Sequence, residues 1–124
     1  MKQNKNVRVW TPAAAWALLI LVLSIMPGEI IPDVEVAHSD KIAHFLIYTV
    51  LAVLMVRGYY YWSSNNIAPK IILFMLILGG GYGILMELVQ RYVPGREPSL
   101  LDAASNLGGV FAGLILGKGV RWQK

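Results

Sequence analysis

Residues 87–106 read ELVQRYVPGREPSLLDAASN, and they decide how this chain folds. The stretch sets Glu87, Gln90, Arg91, Arg96, Asp102 and Asn106 between two apolar runs, in a chain that is 56% hydrophobic and 15% charged. Glu87, Gln90 and Arg91 stand at i, i+3 and i+4 and therefore share one helical face. Asp102 and Asn106 repeat the i, i+4 spacing just inside the next apolar run. Between them, Pro94-Gly95 and Pro98 carry the turn chemistry that reverses a chain. The stretch is a helical hairpin with polar groups from both arms gathered at its closed end. At bilayer depth such groups are costly, and they mark a functional site.

Working outward, four apolar segments run from about Trp10 to Met26, Ile42 to Val56, Ile71 to Val89 and Ala103 to Val120. Each approaches the ~20 residues that a helix needs to cross a hydrocarbon core. A mean hydropathy of +0.56 is too apolar for a soluble domain of 124 residues. The central turns also lack the polar stripe that a soluble four-helix bundle shows on every helix. The expected fold is an all-α membrane protein: four transmembrane helices in one compact domain over residues 1–124.

The net charge of +4 does not mark a nucleic-acid binder, because of where the charges fall. Lys2, Lys5 and Arg8 precede the first span, Arg57 and Lys70 flank the middle connector, and Lys118, Arg121 and Lys124 close the chain. The opposite side holds Lys41, Arg91 and Arg96 but collects Glu29, Asp33, Glu35, Asp40, Glu97 and Asp102. The positive-inside rule then puts both termini in the cytoplasm. Trp10, Tyr59-Tyr60-Tyr61, Trp62 and Trp122 form an aromatic belt at that boundary. The first span imitates a signal peptide, but Pro27-Gly28 follows it instead of a small-x-small cleavage site, so it reads as uncleaved. With no cysteine, thiolate metal sites, haem attachment and disulfides are excluded. The connector between the second and third spans, Arg57 to Lys70, reads as an ordinary loop with Pro69 near its end.

Asp40, Lys41, His44 and Tyr48 follow one another along a face at the start of the second span. Ser39 and Asp40 are good N-cap types there. Gly79 and Gly83 in the third span, and Gly109, Gly113 and Gly117 in the fourth, are small-xxx-small steps that suit close helix packing, expected between the third and fourth spans. At 1.5 Å rise per residue, His44, Glu87 and Asn106 lie at about one level near the outer surface. Two readings remain open for this coincidence: a network that neutralises charge and locks the bundle, or a polar pocket open to the outer leaflet.

The motif set Asp40-Lys41-x-x-His44-Phe45-x-x-Tyr48, Glu87-x-x-Gln90, Pro94-Gly95-Arg96 and Ser99-x-x-Asp102-x-x-x-Asn106-x-x-Gly109-x-x-x-Gly113 resembles the VanZ-like family of small bacterial membrane proteins. The resemblance runs from Pro27 into the fourth span. It implies a cytoplasmic-membrane location and an association with resistance to the glycopeptide teicoplanin, by no established mechanism. The expected ligands are membrane lipids, a cell-wall lipid precursor or a lipoglycopeptide, with no cofactor, and an oligomer is compatible. Arg91 and Arg96 would hold a phosphate or carboxylate, and Asp40, Lys41, His44, Tyr48, Glu87, Gln90, Asp102 and Asn106 would line the pocket. An intramembrane enzyme acting on a lipid head group is the alternative, since His44, Glu87 and Asp102 could serve acid–base chemistry or ligate a divalent metal. Neither a G-x-S-x-G elbow nor an H-E-x-x-H pair is present. A structural or assembly subunit of an envelope complex is the third class.

Overall fold

A computed structural model describes residues 5–30, 39–63 and 66–123. The topology and connector signals at Lys2, Pro32, Asp33, Glu35, Ser64, Asn65 and Lys124 lie outside the described residues, as does the side chain of Lys5. Four helices follow in order: α1 (Lys5–Ile25), α2 (Ser39–Ser63), α3 (Pro69–Gln90) and α4 (Leu100–Gly119), with a 3-10 turn over Gly28–Ile30. All four are long and apolar enough to cross a membrane, and no strand occurs among the described residues.

The helix ends follow local chemistry. Pro27 stops α1, and Pro69 opens α3 at a position where its missing N–H costs nothing. Ser99 caps α4, its hydroxyl accepting the Asp102 amide at 3.1 Å. Asp40 lies in the first turn of α2, where a carboxylate opposes the helix dipole.

The second helix departs from the sequence expectation. It does not stop near Val56 but continues through Arg57 to Ser63, so most of the expected connector is helix. Hydropathy falls at Arg57 while helical geometry does not. Arg57 stacks over the Tyr61 ring one turn on, 5.0 Å from its centroid. Gly58 receives the Trp10 ring of α1, and the Tyr61 hydroxyl donates to the Gln123 carbonyl at 2.5 Å. These contacts tie the extension to both ends of the chain.

The most extensive helix contact is α2 against α4, followed by α1 against α2 and α3 against α4. Here too the structure corrects an expectation. Gly79 and Gly83 of α3 do face α4, at Val110 and Asn106. The glycines of α4, however, face α2: Gly109 lies against the Phe45 carbonyl, Gly113 against the Thr49 carbonyl and Ala52, and Gly117 against Val56. Spacing identifies a packing face but not the partner that it meets. The core between the helices holds Tyr48, Leu51, Ala52 and Val56 of α2 with Val110 and Leu114 of α4. Outward faces stay apolar, as at Leu73, Phe74, Ile77, Ile84 and Leu88 of α3.

A methyl group added at Gly113 would overlap the Thr49 carbonyl and stand 2.6 Å from the Ala52 Cβ, whereas one at Gly81 meets nothing within 4 Å. Gly113→Ala is expected to destabilise the bundle by about 1–3 kcal/mol. Gly81→Ala should be neutral or stabilising by up to about 1 kcal/mol. Thermal unfolding of both variants in detergent checks this, and equal midpoints would refute the α2–α4 contact.

Candidate functional site

Three helices converge on one buried polar cluster near the start of α2. His44 projects from α2, Glu87 from the last turn of α3, and Asp102 and Asn106 from the first turns of α4. The His44 Nδ1 lies 2.8 Å from Asn106 Oδ1 and 3.4 Å from Glu87 Oε1. Asn106 Nδ2 donates to the Gly83 carbonyl at 3.2 Å, which fixes the amide with its oxygen toward His44. His44 Nδ1 therefore carries a proton in this arrangement and donates it to Asn106. Glu87, Gln90, Asp102 and Asn106 are all buried. That the α3 and α4 groups meet follows from the Gly83–Asn106 approach, since a side chain at residue 83 would strike the Asn106 Cβ at 2.8 Å.

Lys41 bridges the cluster to the surface, with its Nζ 3.2 Å from Asp40 Oδ2 and 3.5 Å from Asp102 Oδ1. Among the described residues, four buried side-chain oxygens complete no hydrogen bond: Tyr48 Oη, both oxygens of Glu87, and Asp102 Oδ1. A buried carboxylate without donors costs free energy. Among the described residues, these carboxylate oxygens have only the long ion-pair contacts of His44 to Glu87 Oε1 and Lys41 to Asp102 Oδ1.

Beside the cluster is a cavity of about 320 Å³. Its apolar lining comes from Ile20 and Leu23 of α1, Met26 just past it, Ile30 of the 3-10 turn, Ile47 of α2 and Met86 of α3. Its polar lining comes from Ser24, Asp40, His44, Tyr48, Glu87, Gln90 and Arg96. Asp102 and Asn106 support the polar lining from behind without lining the cavity.

The two arginines part company here. Arg91 caps the end of α3 and is exposed, outside the cavity. The i, i+4 relation to Glu87 gives it the same helix face, but α3 ends at Gln90 and leaves Arg91 in the turn beyond. Arg96 does line the cavity, yet its fork is engaged: Nε donates to the Met26 carbonyl at 3.0 Å and Nη2 to the Leu23 carbonyl. It satisfies carbonyls at the C-terminus of α1 that the helix itself leaves open. Partial burial pulls the guanidinium below its usual pKa, with the Glu87 carboxylate opposing, and an arginine stays charged regardless. Gly95, at φ +74°, shapes the turn that presents Arg96, and the Pro94 carbonyl accepts the Gly28 amide at 3.0 Å.

Ser24 stands out in the sequence as a hydroxyl inside the first apolar run, but nothing there assigns it, or α1, to the site. Ser24 is buried within a run with no distinguishing pattern, so only the approach of α1 to α2 and α3 reveals it. Tyr82 is a second such residue, its hydroxyl reaching the Ala17 carbonyl on α1 at 2.5 Å.

If Arg96 is the strap between the α3–α4 turn and the end of α1, Arg96→Gln should cost about 1.5–3 kcal/mol. Arg96→Lys should recover part of that loss, since it keeps the charge but not the fork. Unfolding temperatures of the two variants provide the check, and a wild-type midpoint for Arg96→Gln would sink the assignment. No family model, curated protein or solved structure matches this chain.

Proposed function

We propose that this chain is a VanZ-like multi-pass protein of a bacterial cytoplasmic membrane, and that its cavity takes the polar head of a lipid-like ligand from the outer leaflet. One observation carries this reading: the mixed lining of the cavity, to which α1, α2 and α3 each contribute both apolar and polar side chains, with Ile20, Leu23, Met26, Ile47 and Met86 next to Ser24, His44, Glu87 and Gln90. A hydrocarbon alone would leave the Glu87 and Gln90 groups without partners, and a small polar solute would gain nothing from Ile20, Leu23 and Met26. An amphiphile answers both. The cavity volume falls within the range of about 300–1,000 Å³ usual for small-ligand sites.

In this reading Gln90 donates to head-group oxygens, while Glu87, Asp40 and the Nε2 of His44, whose Nδ1–H is committed to Asn106, accept from head-group hydroxyls or amines. Arg96 adds fixed positive charge with the donors that α1 leaves unused. A phospholipid, a cell-wall lipid precursor and a lipoglycopeptide such as teicoplanin all offer this combination. The membrane setting is supported by the apolar outward faces of the four helices. The orientation is supported by charge: Arg8, Arg57, Lys70, Lys118 and Arg121 fall at one end of the bundle, and the polar cluster at the other. The His44–Glu87 pair also favours a second reading, acid–base chemistry on the bound head group.

Two outcomes check the proposal. Lipids retained by the purified protein, together with added teicoplanin, should bind wild type and Arg91→Ala alike. His44→Ala and Gln90→Ala should lose at least about tenfold in affinity, or 1.4 kcal/mol. Equal binding by all four proteins would remove the cavity from consideration, and head-group turnover in place of stable binding would favour the enzymatic reading. Because the chain has no cysteine, single-cysteine labelling is free of background. An impermeant thiol reagent should reach Glu29→Cys from outside intact cells and reach Gln123→Cys only after permeabilisation; the reverse pattern would invert the topology.

A further inference from the structure

The acceptors in the cluster have a geometry of their own. One ligand atom each from His44, Glu87 and Asp102 lies within 4.8 Å of the other two. Two atoms bound about 2.1 Å from a tetrahedral ion stand about 3.4 Å apart, and His44 Nδ1 and Glu87 Oε1 are separated by 3.4 Å. Among the described residues, both Glu87 oxygens and Asp102 Oδ1 are buried without a hydrogen bond, on side chains only 8% and 7% exposed. Lys41 pairs with Asp102 Oδ1 only at 3.5 Å and stands closer to Asp40, at 3.2 Å. We propose that His44, Glu87 and Asp102 form a binding site for a first-row divalent metal ion, with the Asn106 amide oxygen beside it.

The ligand set narrows the ion. One imidazole nitrogen with carboxylate and amide oxygens, and no thiolate, suits zinc or manganese better than the all-oxygen preference of calcium or magnesium. The three ligands come from three different helices, so the ion would tie α2, α3 and α4 together at one level. Asn106 is held by the Gly83 carbonyl with its oxygen toward His44 Nδ1. When the ion binds, the Nδ1 proton leaves, to Nε2 or to water, and the nitrogen lone pair goes to the metal. The Asn106 oxygen then faces the ion as a fourth ligand or as a partner of bound water. Lys41 gives up Asp102 and keeps Asp40. The cavity lined by His44 and Glu87 offers the path of entry. This inference stands apart from the head-group reading and needs no lipid.

The test uses the full chain, purified through a tag without histidine, stripped with chelator and titrated with zinc and manganese chlorides in lipid-free detergent. Wild type should take up one equivalent and unfold at a higher temperature with the ion than without. Glu87→Gln and His44→Gln should each weaken uptake at least about tenfold, while Arg91→Gln should bind as wild type. Folded wild type that shows no saturable uptake, or equal uptake by all variants, overturns the site. Should the cluster variants fail to fold, cobalt(II) bound to wild type decides. Visible bands of a low-symmetry site with an imidazole ligand support it, and the spectrum of the hydrated ion overturns it. Lipid retention measured with chelator present separates the two proposals, since loss of the metal site leaves the head-group reading standing.

Discussion

Helices α2 and α4 approach until backbone meets backbone, with the Phe45 and Thr49 carbonyls against Gly109 and Gly113. The His44–Asn106 contact at the heart of the polar cluster depends on that approach. In lipid the hydrophobic effect does not drive helices together, so close packing of small residues carries much of the association. With α4 seated on α2, Asn106 comes within 2.8 Å of His44, and Val110 and Leu114 close the core below. A side chain at residue 109 or 113 would push α4 outward and part the two residues that organise the cluster.

The third helix joins this pair by the same device at a different place. Gly79 and Gly83 let α3 settle on Val110 and Asn106, which carries Glu87 to within 3.4 Å of His44. The cluster is thus a product of two glycine contacts meeting at one level. Among the described residues, both Glu87 oxygens and Asp102 Oδ1 of this cluster complete no hydrogen bond. A locking network of buried charge is at best near break-even for stability, and only when its hydrogen bonds are complete. This one is incomplete at Glu87, which lines the cavity, and at Asp102, which does not.

The first helix contributes differently. It packs through aromatic donors that reach across, with Trp16 Nε1 donating to the Ile47 carbonyl at 2.9 Å and the Tyr82 hydroxyl donating to the Ala17 carbonyl. Arg96 then ties its C-terminal carbonyls to the α3–α4 turn. Arg96, Leu23, Met26 and Ile47 line the cavity themselves, so these contacts also fix part of its lining.

The sequence by itself determined the four apolar helices, their order and the level at which His44, Glu87 and Asn106 sit. Hydropathy, capping chemistry and the 1.5 Å rise are local properties, legible without a partner. The Pro94-Gly95 turn and the Ser99 start of α4 belong to the same class. What only the tertiary structure decided is which face met which. The glycines of α4 turned to α2 and not to α3, Arg91 fell outside while Arg96 became a strap for α1, and the aromatic run after Arg57 stayed helical. Each of these depends on rotation about a helix axis or on a contact between segments distant in sequence. Small-residue spacing marks a face and charge marks a cost, but neither names its partner. The physical reason is that packing in this bundle is settled by shape at contacts between helices, which no single segment encodes.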